Sequence, residues 1–268
     1  MESGKRVKVV IIGSGNVASS LAPALDALPD VDVVAVCSPT HGHAVGLARK
    51  LKVARAVSDV GSVPADADLY LISVKDAAVA EVAASLPELQ SEAVVAHTSG
   101  SVDARALSVS TGHFGVFYPL QTFSKDVAVN IREVPMFIEG ATLHASDLLK
   151  RVARMISDNV YDADSTLRSK MHTAAVFACN FVNHLWAMAD DILHSEAGLD
   201  LSVLHPLIRE TMRKAQLVPP ASVQTGPAVR GDESVMSKHL QMLKPDEAEI
   251  YELLSRHIMD YYKEYERH

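Results

Sequence analysis

The chain has 268 residues, of which 48% are hydrophobic and 22% are charged, and its formal net charge is -8. This composition is typical of a soluble globular protein with one large domain or two ordinary ones. A negative net charge disfavours nucleic acid and anionic membrane surfaces as partners, because the long-range field repels both, whereas it does not exclude a phosphate-bearing cofactor.

The two cysteines, Cys37 and Cys179, are predicted to be small buried residues, without the spacing of a disulfide framework. The first predicted strand begins at Val7, which leaves no room for the apolar region of a signal peptide. The most apolar helical stretch, residues 173–189, contains two asparagines and a histidine that disfavour a bilayer span. We therefore expect a soluble cytoplasmic protein.

The first part of the chain alternates between strand and helix patterns, beginning with a β-branched run that ends at a glycine. Strands are predicted over 7–12, 31–37, 54–57, 69–74, 93–96, 114–117, 136–138 and 159–161, and helices over 16–28, 43–51, 77–86 and 146–156. The order predicts an α/β fold with a doubly wound sheet.

After residue 164 the pattern becomes helical throughout. Helices are predicted over 168–196 without a break, 201–217, 234–243 and 246–265, with a loop over 221–233. We therefore predict two domains, a nucleotide-binding α/β domain over 1–164 and an all-α domain over 165–268.

The turn Gly13-Ser14-Gly15-Asn16-Val17-Ala18 follows the first strand and opens the first helix. It matches the G-x-G-x-x-G/A fingerprint of a Rossmann dinucleotide-binding domain in the required strand-turn-helix context. Gly13 permits the tight turn, Gly15 lets the backbone approach a pyrophosphate, and Ala18 lets the helix pack on the strand. The anion would then accept hydrogen bonds from N–H groups at the helix N-terminus. The alternative is a glycine-rich turn in a fold that has lost its cofactor.

The end of the second strand favours NADP over NAD. An NAD site usually has an acidic residue there to bind the ribose 2′-hydroxyl. This chain has Val36-Cys37-Ser38-Pro39-Thr40 instead, and the hydroxyls of Ser38 and Thr40 can donate hydrogen bonds to a 2′-phosphate. Val74, the last residue of the strand predicted over 69–74, is also assigned to the cofactor.

Several further motifs follow in order along the chain. They are Asp76 after Ser73-Val74-Lys75, then His97-Thr98-Ser99-Gly100, Tyr118-Pro119-Leu120-Gln121-Thr122-Phe123, His172 with Asn180, Gly226-Pro227, Arg230-Gly231-Asp232 and His239. Over about residues 7–262 the chain resembles the Rossmann-like proteins with a DUF2520 C-terminal domain. These are distant relatives of the 6-phosphogluconate dehydrogenase, ketopantoate reductase and pyrroline-5-carboxylate reductase group. The resemblance implies NADP binding, a helical dimerising domain and a cleft between domains. Tyr118 stands where the family often has a histidine, so no catalytic role is assigned to it.

Two segments are predicted to contact the substrate at the carboxyl ends of the strands, where open α/β sheets bind ligands. His97 is assigned to catalysis, and Ser99 and Gly100 to holding a carbonyl or carboxylate. Gln121 is assigned to the substrate as well. The alternative for the hydroxyl groups is that they cap the following helix.

The helix over 168–196 carries the remaining catalytic candidates. The Lys-x-x-x-Asn pattern of the β-hydroxyacid dehydrogenases is absent, since Lys170 is followed by Ala174. We assign acid/base catalysis to His172, because imidazole exchanges protons near neutral pH. Asn180 joins it, because an unpaired amide on an apolar helix is costly and a substrate can satisfy it. The alternative for His172 is a buried histidine bonded to a carbonyl group.

The loop over 221–233 supplies one more candidate. Arg230 is predicted to bind a carboxylate or phosphate of the substrate, and an ion pair with Asp232 is the alternative. No metal site is predicted, because His41 and His43 together supply only two ligands.

The sequence thus predicts an NADP-dependent oxidoreductase that moves hydride between nicotinamide and a small carbonyl, imine or hydroxy compound. It is expected to be a homodimer formed through its C-terminal helices. The alternative is a noncatalytic NAD(P)-binding sensor or scaffold dimer. The missing Lys-x-x-x-Asn pair favours that alternative, whereas the polar residues expected in the cleft favour the enzyme.

Overall fold

The computed structural model describes residues 6–125, 127–197 and 199–265 of the chain. These residues form two compact units that divide between Cys179 and Asn180. The boundary predicted after residue 164 coincides with the N-cap of a helix, where the Asp164 side chain accepts from the Leu167 N–H. The functional division at that point stays a prediction.

The described residues of the first unit form an eight-stranded sheet. Its strands are β1 Val7–Ile12, β2 Val31–Cys37, β3 Arg55–Val57, β4 Leu69–Ile72, β5 Val94–His97, β6 Phe114–Pro119, β7 Met136–Gly140 and β8 Val160–Asp162. The spatial order is β3-β2-β1-β4-β5-β6-β7-β8, and every neighbouring pair is parallel except β6 with β7. Since β1 lies between β2 and β4, the chain reverses its direction of winding there, which is where such sheets bind ligands.

The central strands follow from their sequence. Every residue of β4 and β5 is buried, as required of parallel strands that are covered on both faces. Alternate residues of β1 enter two different cores: Val9 and Ile11 pack in one, and Val10 and Ile12 in the other. The edge strands β3 and β8 are only three residues long, which limits the exposed sheet edge.

The α-helices among the described residues of this unit flank the sheet or extend from it. They are α1 Asn16–Asp26, α2 His41–Ala48, α3 Val79–Ala84, α4 Leu143–Ile156 and α5 Ser165–Ala175. Helices α1, α2 and α4 supply apolar side chains to one core, and α3 supplies them to the other. Coverage of both faces confirms the predicted doubly wound α/β fold.

The chain then continues through a π turn, Val176–Phe181, into the helices α6 Val182–Ala197, α7 His205–Leu217, α8 Glu233–Leu240 and α9 Pro245–Tyr265. The stretch predicted as one unbroken helix over 168–196 is helical throughout, but six of its residues have π rather than α geometry. A π turn widens the helix locally without changing the apolar character of the sequence, so periodicity does not reveal it. The helical character of the second unit is confirmed.

The two cysteines differ in their surroundings. Cys37 is buried at the end of β2, as predicted, and burial raises the pKa of its thiol to about 11. Cys179 is exposed, so its predicted burial is wrong; the π turn lies across this position. No helix within the described residues is long and apolar enough to cross a membrane. In the same part of the chain, no three His, Cys, Asp or Glu side chains are grouped so as to hold a metal ion.

Candidate functional site

A cavity of about 720 Å³ lies at the carboxyl ends of the central strands of the first unit. Loops that follow β1, β2, β4 and β5 contribute to it, together with the end of β6 and one residue of α5. Its polar lining residues include Ser14, Asn16, Ser38, Ser73, Lys75, Asp76, Thr98, Ser99, Tyr118, Gln121 and His172. Polar groups thus converge on a cavity whose size suits a small-molecule site.

The phosphate turn, residues 13–18, is shaped by Gly13. Its φ is +118°, and a Cβ atom built there would lie 2.0 Å from the Ser73 carbonyl oxygen. Only glycine combines this backbone conformation with such a close approach. The Gly13 N–H donates to the Cys37 carbonyl oxygen at 2.8 Å, which ties the turn to the end of β2.

Gly15 faces open space. A Cβ atom built on it would meet no protein atom within 4 Å. Gly15 is the N-cap of α1, and no residue in the first turn of that helix is acidic. Because the first N–H groups of a helix have no acceptor within the helix, they are free to bind an anion. The open side of Gly15 and these donors fit the pyrophosphate of a dinucleotide.

The end of β2 carries hydroxyl groups in place of a carboxylate. Ser38 is 5% exposed, and its Oγ lies 3.0 Å from the Oγ of Ser14 in the phosphate turn. Thr40 is the N-cap of α2, but its side chain makes no capping hydrogen bond. A 2′-phosphate would thus meet hydroxyl groups at the positions that directly follow β2, where an NAD site usually has a carboxylate, and this suits NADP.

A tyrosine and a histidine from distant parts of the chain meet in the cavity. The Tyr118 hydroxyl lies 2.9 Å from His172 Nδ1, and the two rings are 6.0 Å apart in a T-shaped arrangement. Burial raises the pKa of Tyr118 to about 12, so its hydroxyl keeps its proton at neutral pH. A Cβ on Gly100 would come within 2.7 Å of His172 Nδ1 and 2.9 Å of Tyr118 Cζ, so Gly100 packs directly against the pair.

His97 lies at the end of β5 and is fully buried. Its Nδ1 accepts a hydrogen bond of 3.2 Å from the Ser99 N–H, and its Nε2 has no partner within the described part of the chain. Burial, aided by the Arg168 charge, lowers the pKa of His97 to about 4. The ring is therefore neutral, and it does not line the cavity, whereas Thr98, Ser99 and Gly100 do.

The hydroxyl of Ser99 is engaged by its own loop. Its Oγ accepts from the N–H groups of Ser101 at 3.0 Å and Val102 at 3.1 Å. This is the local bonding expected for the alternative role of the residue, in which the side chain stabilises a turn. Ser99 still lines the cavity, so its assignment to the substrate stays a prediction.

Comparisons with known proteins agree with this geometry. Residues 8–100 match the family described as NADP oxidoreductase coenzyme F420-dependent, and residues 134–258 match the domain of unknown function DUF2520. The crystal structure of a "putative NADP oxidoreductase" from Bacteroides fragilis is 42% identical in sequence, with a TM-score of 0.90. The match covers 95% of this chain and 98% of that one. The chain belongs to this NADP oxidoreductase family. The resemblance inferred from the motifs is confirmed.

More distant structures share the fold of this family member. A protein from Thermotoga maritima is 20% identical, covers 97% of this chain and 100% of its own, and has a TM-score of 0.68. A pyrroline-5-carboxylate reductase from Coxiella burnetii is 16% identical over 96% of this chain and 97% of its own, with a TM-score of 0.56. No curated protein matches the chain.

The cavity of this oxidoreductase family member brings most of the predicted site residues together. The predicted residues that line it are Gly13, Ser14, Gly15, Asn16, Val17, Ser38 and Val74 for the cofactor, Ser99, Gly100 and Gln121 for the substrate, and His172 for catalysis. Thr40 and His97 do not line it. Asn180 and Arg230 belong to the second unit, and both are exposed. The roles of all these residues stay predictions.

The sequence interpretation missed Tyr118, Lys75 and Asp76 as cavity residues. A signal for all three existed. Lys75 and Asp76 follow β4, and Tyr118 lies next to the last residue of β6, so the rule that ligands bind at carboxyl ends of strands points to each of them. Tyr118 was set aside because of its departure from the family pattern, yet the hydroxyl contacts the predicted catalytic histidine.

Proposed function

We propose that this protein binds NADP at the phosphate turn and catalyses hydride transfer between nicotinamide and a small carbonyl, imine or hydroxy compound. The observation that carries the proposal is the hydrogen bond of 2.9 Å between the Tyr118 hydroxyl and His172 Nδ1. Both side chains line the cavity that the phosphate turn also lines. A group that exchanges protons thus shares one cavity with a dinucleotide cradle.

The cofactor would be held by the phosphate turn and by the end of β2. The free N–H groups at the start of α1 would bind the pyrophosphate, which approaches over Gly15. Ser38 would bind the 2′-phosphate, helped by Ser14, whose hydroxyl lies beside it. Membership of an NADP oxidoreductase family and the absence of an acidic residue among Ser38, Pro39 and Thr40 both favour NADP over NAD.

The side chains of the pair would move the proton. Bound NADPH supplies hydride to a carbon atom, and the neighbouring oxygen or nitrogen of the substrate then needs a proton. Tyr118 keeps its proton, because its pKa is about 12. In the imidazolium form of His172 both ring nitrogens carry a proton, and the Nδ1–H would donate to the oxygen of the Tyr118 hydroxyl. The Nε2 proton would then pass to the substrate and leave a neutral imidazole, while the Tyr118 hydroxyl orients the ring through Nδ1.

Variants with a matched control test this function. Purified protein is titrated with NADPH and with NADH, and NADPH oxidation is then followed by absorbance over a panel of carbonyl and imine compounds. We expect NADPH to bind more tightly than NADH, and we expect turnover of at least one of the two classes of compound. His172→Gln should lower kcat about 100-fold or more at an unchanged Kd for NADPH, as the loss of a general acid does. His144→Gln, on an exposed histidine outside the cavity, should leave both unchanged.

Two results would contradict the proposal. Failure to bind either nucleotide would remove the cofactor assignment. Binding of NADPH without turnover of any class, unaltered in His172→Gln, would instead support the noncatalytic sensor or scaffold.

We further propose that the protein is a homodimer formed through the helices of residues 165–268. Among the side chains that the structure describes in the second unit, the buried hydrophobic ones are Ala228 and Met236. Large apolar side chains on α6 and α7 are exposed, among them Leu185, Trp186, Leu207 and Met212. A helical unit with so small a core and so much exposed apolar surface is explained by a second copy that covers it.

Light scattering after gel filtration should give twice the chain mass. Leu207→Glu should shift the protein towards monomer, and a monomeric wild-type protein would contradict the proposal of a dimer.

We also propose that the protein works in the cytoplasm. Both cysteines are free thiols and Cys179 is exposed, which suits a reducing compartment. Cell fractionation should recover the protein with cytosolic markers, and recovery from a secreted fraction would contradict the proposal.

A further inference from the structure

We propose that Arg168 is a positioning residue that holds the Tyr118–His172 pair in register. The inference rests on the proposed function, in which this pair moves the proton. Arg168 lies on α5, one helical turn before His172, so the two side chains share a face of that helix. Arg168 is 1% exposed and does not line the cavity, so any effect on the reaction passes through its neighbours.

The guanidinium group of Arg168 joins three separate segments. Its Nη1 forms an ion pair with the Glu139 carboxylate on β7. Its Nη2 donates to the carbonyl oxygen of Val102 at 2.5 Å and to the Ser165 Oγ at 3.3 Å. Glu139 also accepts from the Ser165 hydroxyl at 3.2 Å, so the cluster closes on the start of α5.

Each segment bears on the pair. Strand β7 pairs with β6, where Phe137 lies opposite Tyr118, so Glu139 belongs to the strand that supports the tyrosine. Val102 follows two residues after Gly100, whose backbone packs against both rings of the pair. Helix α5 carries His172 itself. One side chain therefore fixes the distances between the strand support of Tyr118, the loop beside the pair and the helix of His172.

Stability alone does not explain a buried arginine at this position. Desolvating an ion pair costs about as much as its attraction returns, and apolar replacements of similar volume are often neutral or stabilising. The Nε of Arg168 also has no acceptor among the described residues, which adds to the cost. What arginine supplies is a rigid planar fork that binds a carboxylate and a carbonyl group in fixed directions, which lysine cannot reproduce.

The charge of Arg168 also acts on the residues around the pair. Burial raises the pKa of Tyr118, and the Arg168 charge opposes that rise. The pKa of His97 is lowered mainly by burial, and the Arg168 charge lowers it further. Arg168 thus affects the site through both geometry and electrostatics.

Arg132, whose side chain is exposed, offers a control in the same unit for the bonds that Arg168 makes. It makes the same two kinds of bond, an ion pair with the Asp158 carboxylate and a hydrogen bond of 3.2 Å to the Met155 carbonyl oxygen. Neither Arg132 nor these partners line the cavity. Arg132→Lys therefore tests the general effect of replacing a bridging arginine.

The test reads the pair directly, in the full-length protein without substrate. The ¹⁵N chemical shift of His172 Nδ1, assigned by its loss in His172→Gln, reports the hydrogen bond between Nδ1 and the Tyr118 hydroxyl. Tyr118→Phe supplies the shift of the unbonded ring. We expect Arg168→Lys to move the signal at least halfway towards that value, with the Kd for NADPH changed less than twofold. Arg132→Lys should leave the signal at its wild-type position.

Glu139→Gln is the second variant, and it keeps the inference testable if Arg168→Lys does not fold. It should move the His172 signal in the same direction by a smaller amount. With a substrate from the panel, Arg168→Lys should lower kcat about tenfold at a nearly unchanged KM, as expected when a proton donor is misplaced. A wild-type His172 signal in both variants would overturn the positioning role. Full turnover in His172→Gln would instead overturn the proposed function, whatever the signal shows.

Discussion

The phosphate turn and the Tyr118–His172 pair line the same cavity but are built in opposite ways. The turn is six consecutive residues whose shape is set by Gly13 and the strand ends beside it. The pair brings together residues 118 and 172 beside a glycine at position 100, and a buried arginine anchors the helix that carries His172 and the loop that carries Gly100. A binding site formed by the backbone of a short segment can be predicted from sequence. A site formed by side chains that are distant in sequence can be recognised only once the fold is known.

The largest expected effect is on the turn, because its geometry depends on one glycine. Gly13→Ala places a Cβ 2.0 Å from the Ser73 carbonyl oxygen at a φ of +118°. We expect the free energy of unfolding to fall by about 3 kcal/mol or more, from backbone strain and displacement of β4. Urea unfolding measures the loss. Gly46→Ala is the control: its Cβ meets nothing within 4 Å inside α2, and it should stabilise by about 0.5–1 kcal/mol.

Low pH should lower the stability of the protein through His97, the buried residue that precedes the loop beside the Tyr118–His172 pair. The phosphate turn has no titratable side chain and should not contribute. Burial lowers the pKa of His97 from 6.5 to about 4, so the unfolded chain takes up a proton that the folded protein refuses. The free energy of unfolding is therefore unaffected by His97 above pH 6.5. As the pH falls from 6.5 towards 4, proton uptake by the unfolded chain lowers that free energy by at most about 3 kcal/mol. His97→Gln should flatten the dependence of unfolding free energy on pH in this window, whereas His144→Gln should not. An equal slope in wild type and His97→Gln would show that His97 is not the group responsible.

Gly100→Ala separates the pair from the turn. The added Cβ would lie 2.7 Å from His172 Nδ1 and 2.9 Å from Tyr118 Cζ, so the two rings must shift from their positions. We expect kcat to fall about 100-fold, because misplacing a reacting group by an ångström has effects of that size. The Kd for NADPH should stay within threefold of wild type. Gly112→Ala, whose Cβ meets nothing within 4 Å, should leave kcat unchanged. An equal loss of kcat in both variants would contradict a specific role for the contact of Gly100 with the pair.

The smallest effect concerns the choice between cofactors. Ser38→Ala removes a hydroxyl next to Ser14 without altering the turn itself. We expect the preference for NADPH over NADH to fall about fivefold, the worth of one hydrogen bond. Titrations with both nucleotides measure it. An unchanged ratio of the dissociation constants for NADH and NADPH would show that Ser38 does not bind the 2′-phosphate.

Much of the fold could be predicted, because each central strand is a continuous apolar run between turn residues. The bounds of β1 and β2 agree with prediction to the residue. The π turn was missed, because it leaves the apolar pattern of the helix unchanged. His97 was predicted to be a cavity residue, but it is the last residue of β5 and its ring is buried, a difference of one strand position. Arg168 carried no signal at all, since its partners Glu139 and Val102 are distant in sequence.

The most direct test of the account is the affinity of Gly15→Ala for NADPH. A Cβ at Gly15 meets no protein atom within 4 Å, so the variant should fold with an unchanged melting temperature. The methyl group would occupy the space over which the pyrophosphate approaches, and we expect the Kd for NADPH to rise about 100-fold, because the contacts of the anion with the helix N-terminus are lost. Wild-type affinity in Gly15→Ala would contradict the claim that this turn holds the cofactor.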